Sequence, residues 1–249
     1  KLSPTSVDIN EKLGDLFHQV GLDQDAIGQY YIVAGYYDNK GKTKEAMAIR
    51  QKIVDLDPSN TTGRIRLAEL LQAEGKPEES YEEYDKVAKL LADKKDREGL
   101  AEIYEKMLHF RPNNKEMLKE LCQIYFSKRE FKKALKKLEA GTSVFKDDLE
   151  IGLLWCEALL EDRQLDQARK RFRILYSAAL ESKKLEMITK IKSRILQEFV
   201  DDEDYIKDIN EMTRQANLPA PEAKPKFRQD FEKTEMFDLE SSFSPPEKK

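Results

Sequence analysis

The chain repeats itself. The segment KIVDLDPSN at residues 52–60 returns as KMLHFRPNN at residues 106–114, which puts Pro58 and Pro112 in the same place 54 residues apart. A shorter echo of 34 residues lies within the longer one. A chain repeating at such spacings folds as a stack of supersecondary units, each burying its apolar face on the next. Such a stack offers extended surfaces rather than one cleft.

The units are helical. Apolar residues recur at helical spacing from about residue 7 to residue 217, and no stretch alternates as a strand does. Abundant Lys, Glu, Leu and Ala with only 10 glycines agrees with this. A first helix carries Ile9, Leu13, Leu16, Phe17 and Val20 on one face and stops at Gly21. Asp23 reads as the cap of the second, and Asp57-Pro58 ends the third, because proline disfavours helical geometry in the residue before it. Ser59 or Asn60 then caps a fourth helix, Pro77 opens a fifth, and Asn113 or Asn114 caps the seventh. Twelve helices follow from this pattern, joined by turns of two to five residues and therefore antiparallel to their neighbours.

Aligned from Val7, Thr61, Lys115 and Leu149, four segments place large, small and large residues at positions 7, 8 and 11, then small and large at 20 and 24. Leu67, Ala68, Leu71, Ser80 and Tyr84 fill them in one copy, and Trp155, Cys156, Leu159, Ala168 and Phe172 in another. This pattern resembles the tetratricopeptide repeat. Small residues at 8 and 20 let two helices approach, and the large ones wedge between pairs. The helices at Ala26–Tyr37 and Tyr81–Leu91 each fit as the second helix of one unit and the first of the next, which generates the three-helix, 54-residue rhythm. Arrays with this rhythm resemble certain bacterial tetratricopeptide proteins of motility, polarity and envelope assemblies. Arg50, Met107 and Gly141 depart from the family pattern, so looser packing is expected near the third and eighth helices.

The resemblance implies an all-α, right-handed solenoid that binds a peptide or helix in its concave groove. It implies groove positions at Asp8, Glu11, Asp15, Tyr31, Asp38, Glu69, Gln72, Asp85, Lys119, Gln123, Phe126, Leu153 and Glu157. The family's clamp for a terminal carboxylate needs Lys and Asn where this chain has Glu11 and Asp15, so a basic or mixed-charge partner is expected instead. A subunit that answers to a switch protein, as in bacterial motility or polarity, is the second reading, and an RNA-binding helical array the third.

Composition narrows these. A net charge of −4 argues against nucleic acid, whose phosphates call for clustered Lys and Arg. No apolar run approaches the ~18–20 residues that span a bilayer. A cytoplasmic protein is expected, although a chain beginning at Lys1 leaves targeting open. His18 and His109 stand apart with no ligand set, and no phosphate loop, nucleophile elbow or zinc motif occurs. Neither catalysis nor a metal or other cofactor is expected. Cys122 and Cys156 sit one short repeat apart and are expected to fill equivalent helix contacts rather than pair.

The expected organisation is an N-terminal extension at 1–6, repeats at 7–182, capping helices at 183–217 and a tail at 218–249. Five of the nine prolines fall in that tail, and Phe227, Phe231, Phe237, Leu239 and Phe243 stand there among charges as anchors of a linear motif. The motif is expected to dock on a helical surface of its own chain or of a neighbour, regulating the groove or joining copies.

Overall fold

The computed structural model describes residues 4–141 and 143–216. Twelve helices follow one another: α1 (Pro4–Gln19), α2 (Asp23–Asn39), α3 (Thr43–Leu56), α4 (Thr61–Ala73), α5 (Pro77–Asp93), α6 (Arg97–Phe110), α7 (Lys115–Ser127), α8 (Phe131–Ala140), α9 (Leu149–Glu161), α10 (Leu165–Glu181), α11 (Leu185–Glu198) and α12 (Glu203–Gln215). No strand occurs among the described residues. Each helix packs on the one before and after it, and α7 on α9, α9 on α11 and α10 on α12 add contacts one step further on. The tail lies outside the described residues, and so does the docking expected of it.

Two kinds of turn divide the array. Short turns place one residue in the left-handed region: Gly21, Gly41, Gly75, Lys95, Arg129, Arg163 and Lys183. Six of them close with the same backbone bond, the second residue after the turn's start donating back to the last helical turn, as Leu22 to Phe17, Lys76 to Leu71 and Gln164 to Leu159. The other turns end on a side-chain cap. Asn60, Asn114, Asp148 and Asp202 accept from the backbone N–H of Gly63, Met117, Ile151 and Tyr205.

Asp96 caps α6 as well, so it is the four turns without a left-handed residue among the described ones that parse the array into units. The groups α1–α3, α4–α6 and α9–α11 hold three helices each, α7–α8 holds two, and α12 opens a further unit. Helices α4, α5, α6 and α7 begin at 61, 77, 97 and 115, and α9, α10, α11 and α12 begin 88 residues later at each step. The sharing of a middle helix therefore recurs at α10.

Several expectations are corrected. Asp23 does not cap α2. Leu22 holds that place without a side-chain bond, because the left-handed Gly21 turn already satisfies the chain's polar groups. The connection from α8 to α9 spans residues 141–148, longer than the turns expected. Helix α1 begins at Pro4 and packs through Val7, Gly14 and Phe17, so that of the expected stripe Phe17 faces the core while Ile9, Leu16 and Val20 do not. Gly14 decides this, since a Cβ there would stand 2.7 Å from the Tyr30 ring, so α2 lies against the glycine side. Ile9 and Val20 are left 60% and 70% exposed. Leu165 on α10 and Leu185 on α11 also face solvent.

The core is a series of clusters along the stack, overlapping from α4 onward. The smallest joins Val54, Leu67 and Leu71 with Met47 between the first two units. Arg50, where the repeat expects an aromatic, is buried and ion-paired to Asp38 at 2.5 Å, with its Nε lacking a partner. The departure costs α3 an apolar contact and replaces it with a charge pair. Cys122 and Cys156 are both free and buried, and burial pushes the Cys122 thiol up to about 12.

Candidate functional site

The candidate site grows from repeat geometry. At position 8, Ala68, Cys122 and Cys156 are fully buried, as are Ser80, Ala134 and Ala168 at position 20. The Ser80 hydroxyl donates to the Ala68 carbonyl at 2.8 Å, an approach of α5 onto α4 that only small residues permit. Tyr84 and Phe172, at position 24, are enclosed beside them. The chain is a tetratricopeptide-like helical array. No family model matches it, and no curated protein matches it in sequence. Among solved structures it is similar to MamA (16% identity over 64% of this chain and 94% of that one, TM-score 0.35). It is also similar to YrrB, described as a TPR protein with an unusual peptide-binding site (14%, 76% and 85%, TM-score 0.39). A third is the C-terminal part of a TPR repeat-containing protein of Cytophaga hutchinsonii (13%, 83% and 95%, TM-score 0.41). Scores this low decide nothing, and the assignment rests on the packing of the repeat positions.

The predicted groove positions do not form a bare acidic face. In the first unit Lys52 of α3 donates to Glu11 at 3.1 Å and to Asp15 at 3.0 Å on α1, while the Tyr30 hydroxyl of α2 donates to Asp15 at 2.6 Å. The Lys52 ammonium also lies 5.2 Å from the centre of the Tyr30 ring. In the second unit Lys106 of α6 donates to Glu69 of α4 at 2.8 Å and lies 5.5 Å from the Tyr84 ring of α5. Carboxylate, aromatic and lysine thus recur on the first, second and third helices of successive units. The third such unit carries Glu157, Phe172 and Arg194 at the same places.

Electrostatics follow from these partners. The Tyr30 hydroxyl, and then Lys52, hold the Asp15 carboxyl below its ordinary value. Burial pushes Glu69 up, but its bonds from Lys106 and Arg66 outweigh that and the net shift is down. Glu157 goes the other way: burial raises it, and Arg194 and Lys190 only partly offset this.

The remaining predicted positions are scattered in character. Tyr31 donates to the cap residue Asn60, Asp38 holds Arg50 and Arg66, and Asp85 pairs with Lys89 at 2.6 Å. Lys119 and Lys115 both bind Glu150, which they depress to about 2, and Lys115 also reaches Asp148, tying α7 to the start of α9. Phe126 stacks edge-on against Phe131, Gln72, Gln123 and Asp8 are exposed, and Leu153 is buried, a core residue more than a lining one.

Leu153 and Glu157 nevertheless meet α11 in an open depression of about 600 Å³, completed by Leu185, Lys190, Arg194 and Gln197. Sequence reasoning missed the α11 residues. Their signal was the 88-residue register, which places Arg194 where Lys106 stands.

Proposed function

We propose that this chain is a non-catalytic interaction scaffold, and that the depression between α9 and α11 seats a short segment of a protein partner. The observation that carries this reading is the mixed lining. Leu185, 40% exposed, offers apolar area beside Lys190, Arg194 and the desolvated Glu157. Apolar anchoring with a few placed charges is how short peptides are held in grooves. The internal ion pairs at Glu11, Asp15, Asp38, Glu69 and Glu150 neutralise much of the face that sequence alone reads as acidic, so a partner of mixed charge fits better than a strongly basic one. The tail motif around Phe237, Leu239 and Phe243 is a candidate occupant and would then compete with the partner.

Affinity capture with the full chain, with residues 219–249 removed, and with Leu185→Glu/Glu157→Arg tests the reading. The expected result is a captured protein that the double substitution loses and that tail removal enriches. A capture profile unchanged by the double substitution would sink it.

A further inference from the structure

The 54-residue register allows one junction to be read against another. Between the first and second units, α3, α4 and α5 enclose a groove of about 510 Å³. Its floor is Met47, Leu67 and Leu71. Its walls carry Glu74, Glu79, Glu82 and Glu83 against Lys44 and Lys76. Glu83 is committed to Arg64 and Lys86, and Glu79 to Lys76, whereas Glu74 and Glu82 have no ion pair among the described residues.

Moved on by one unit, the same wall positions have the opposite charge. Glu74, Glu79, Glu82 and Glu83 become Lys128, Lys133, Lys136 and Lys137, while Lys44, Ala48 and Gln51 on the facing helix become Glu98, Glu102 and Glu105. There the two walls answer each other. Lys128 binds Glu98 at 2.7 Å and Lys137 binds Glu105 at 3.5 Å, joining α6 to the end of α7 and to α8. At the first junction α5 keeps its carboxylates, but α3 offers only Lys44 in return, with Ala48 and Gln51 where the second junction has acids. The wall is one half of a charge interface over an apolar floor, and its cationic half is not on this chain's α3.

We propose that the α3–α5 groove is a second docking site, whose occupant is a cationic amphipathic protein segment. It lays apolar side chains on Met47 and Leu71 and lysine or arginine between Glu74, Glu79 and Glu82. Long basic side chains suit this role because their stems cover apolar floor while the heads reach the carboxylates. None of these residues belongs to the α9–α11 depression, so this site stands or falls separately from that one.

The test uses the full chain and a fluorescein-labelled helical peptide of lysine and leucine, with a glutamate-for-lysine peptide as control. Fluorescence polarisation should show binding of the cationic peptide alone, weakening as salt rises. Glu79→Lys/Glu82→Lys, which copies the second junction, should raise the Kd by about tenfold or more. Glu203→Lys/Asp204→Lys, an equal charge change on exposed α12, should not. Methyl NMR locates the peptide: the Met47 signal shifts, and those of Met187 and Met212 stay. No binding by the wild type, an equal loss in both double variants, or shifts at Met187 or Met212 without Met47 would overturn the proposal.

Discussion

Glu157 occupies the place that Asp15 and Glu69 hold in their units, yet burial moves its carboxyl in the opposite direction. A group whose folded-state pKa is raised contributes stability that is present at low pH and lost as pH rises through that value. Charged Glu157 therefore costs stability at neutral pH. Replacing it with an uncharged isostere, Glu157→Gln, should raise the melting temperature at pH 7. The side chain is only partly shielded, so the gain is under ~1 kcal/mol, or ~2–4 °C for a chain of this size. Thermal melts should show the gap closing toward pH 4, and a gap that persists there would contradict the assignment. Asp15, Glu69 and Glu150 carry the reverse sign. Their lysine-stabilised carboxylates support the fold above the ordinary carboxylate range, and that support disappears as pH falls toward the value of about 2 that Glu150 reaches.

At the scale of helices and turns, four short turns hold a lysine or arginine in the left-handed region where three others hold glycine. A side chain there costs roughly 1 kcal/mol. Arg163→Gly should therefore stabilise the array by up to ~1 kcal/mol in urea titration, and a destabilised variant would show that Arg163 makes a contact worth more than its strain. These turns also mark what the sequence could and could not tell. Helical periodicity, the Pro58 and Pro112 stops and the Asn60 and Asn114 caps were all legible, because each acts within a turn of its own position. The face of α1 was legible from the repeat register, which sets Gly14 against α2, but not from periodicity alone, because Ile9, Leu16 and Val20 extend a valid stripe that the close fit of Tyr30 on Gly14 rejects. The ionic partners of the groove positions were not legible. Lys52 and Lys106 come from the third helix of their units, dozens of residues from Asp15 and Glu69, so the acidic reading of that face counted only half of its charges.

Across the molecule, stability is held in clusters along the stack, and the three from α4 onward share side chains with one another. Leu100, Tyr104 and Leu108 belong to the edges of two clusters, and so do Leu135 and Trp155. Leu121, fully buried among Cys122, Tyr125, Ala134 and Leu138, lies inside the cluster that links the two halves. Leu121→Asp places a charge there and should cost ~3 kcal/mol or more. In a nearest-neighbour stack it should also split one melting transition into two, seen by calorimetry. A single transition at the original temperature would contradict this core. The same region has the shortest helix, α8 with 10 residues, followed by the longest connection among the described residues. Material is thinnest where the two arms meet, and Lys115 and Lys119, bound to Asp148 and Glu150, reinforce the apolar packing across it. A tilt at α8 would change how far apart the α3–α5 and α9–α11 grooves stand, and so how long a partner must be to touch both; Lys115 and Lys119, which share Glu150, resist it together.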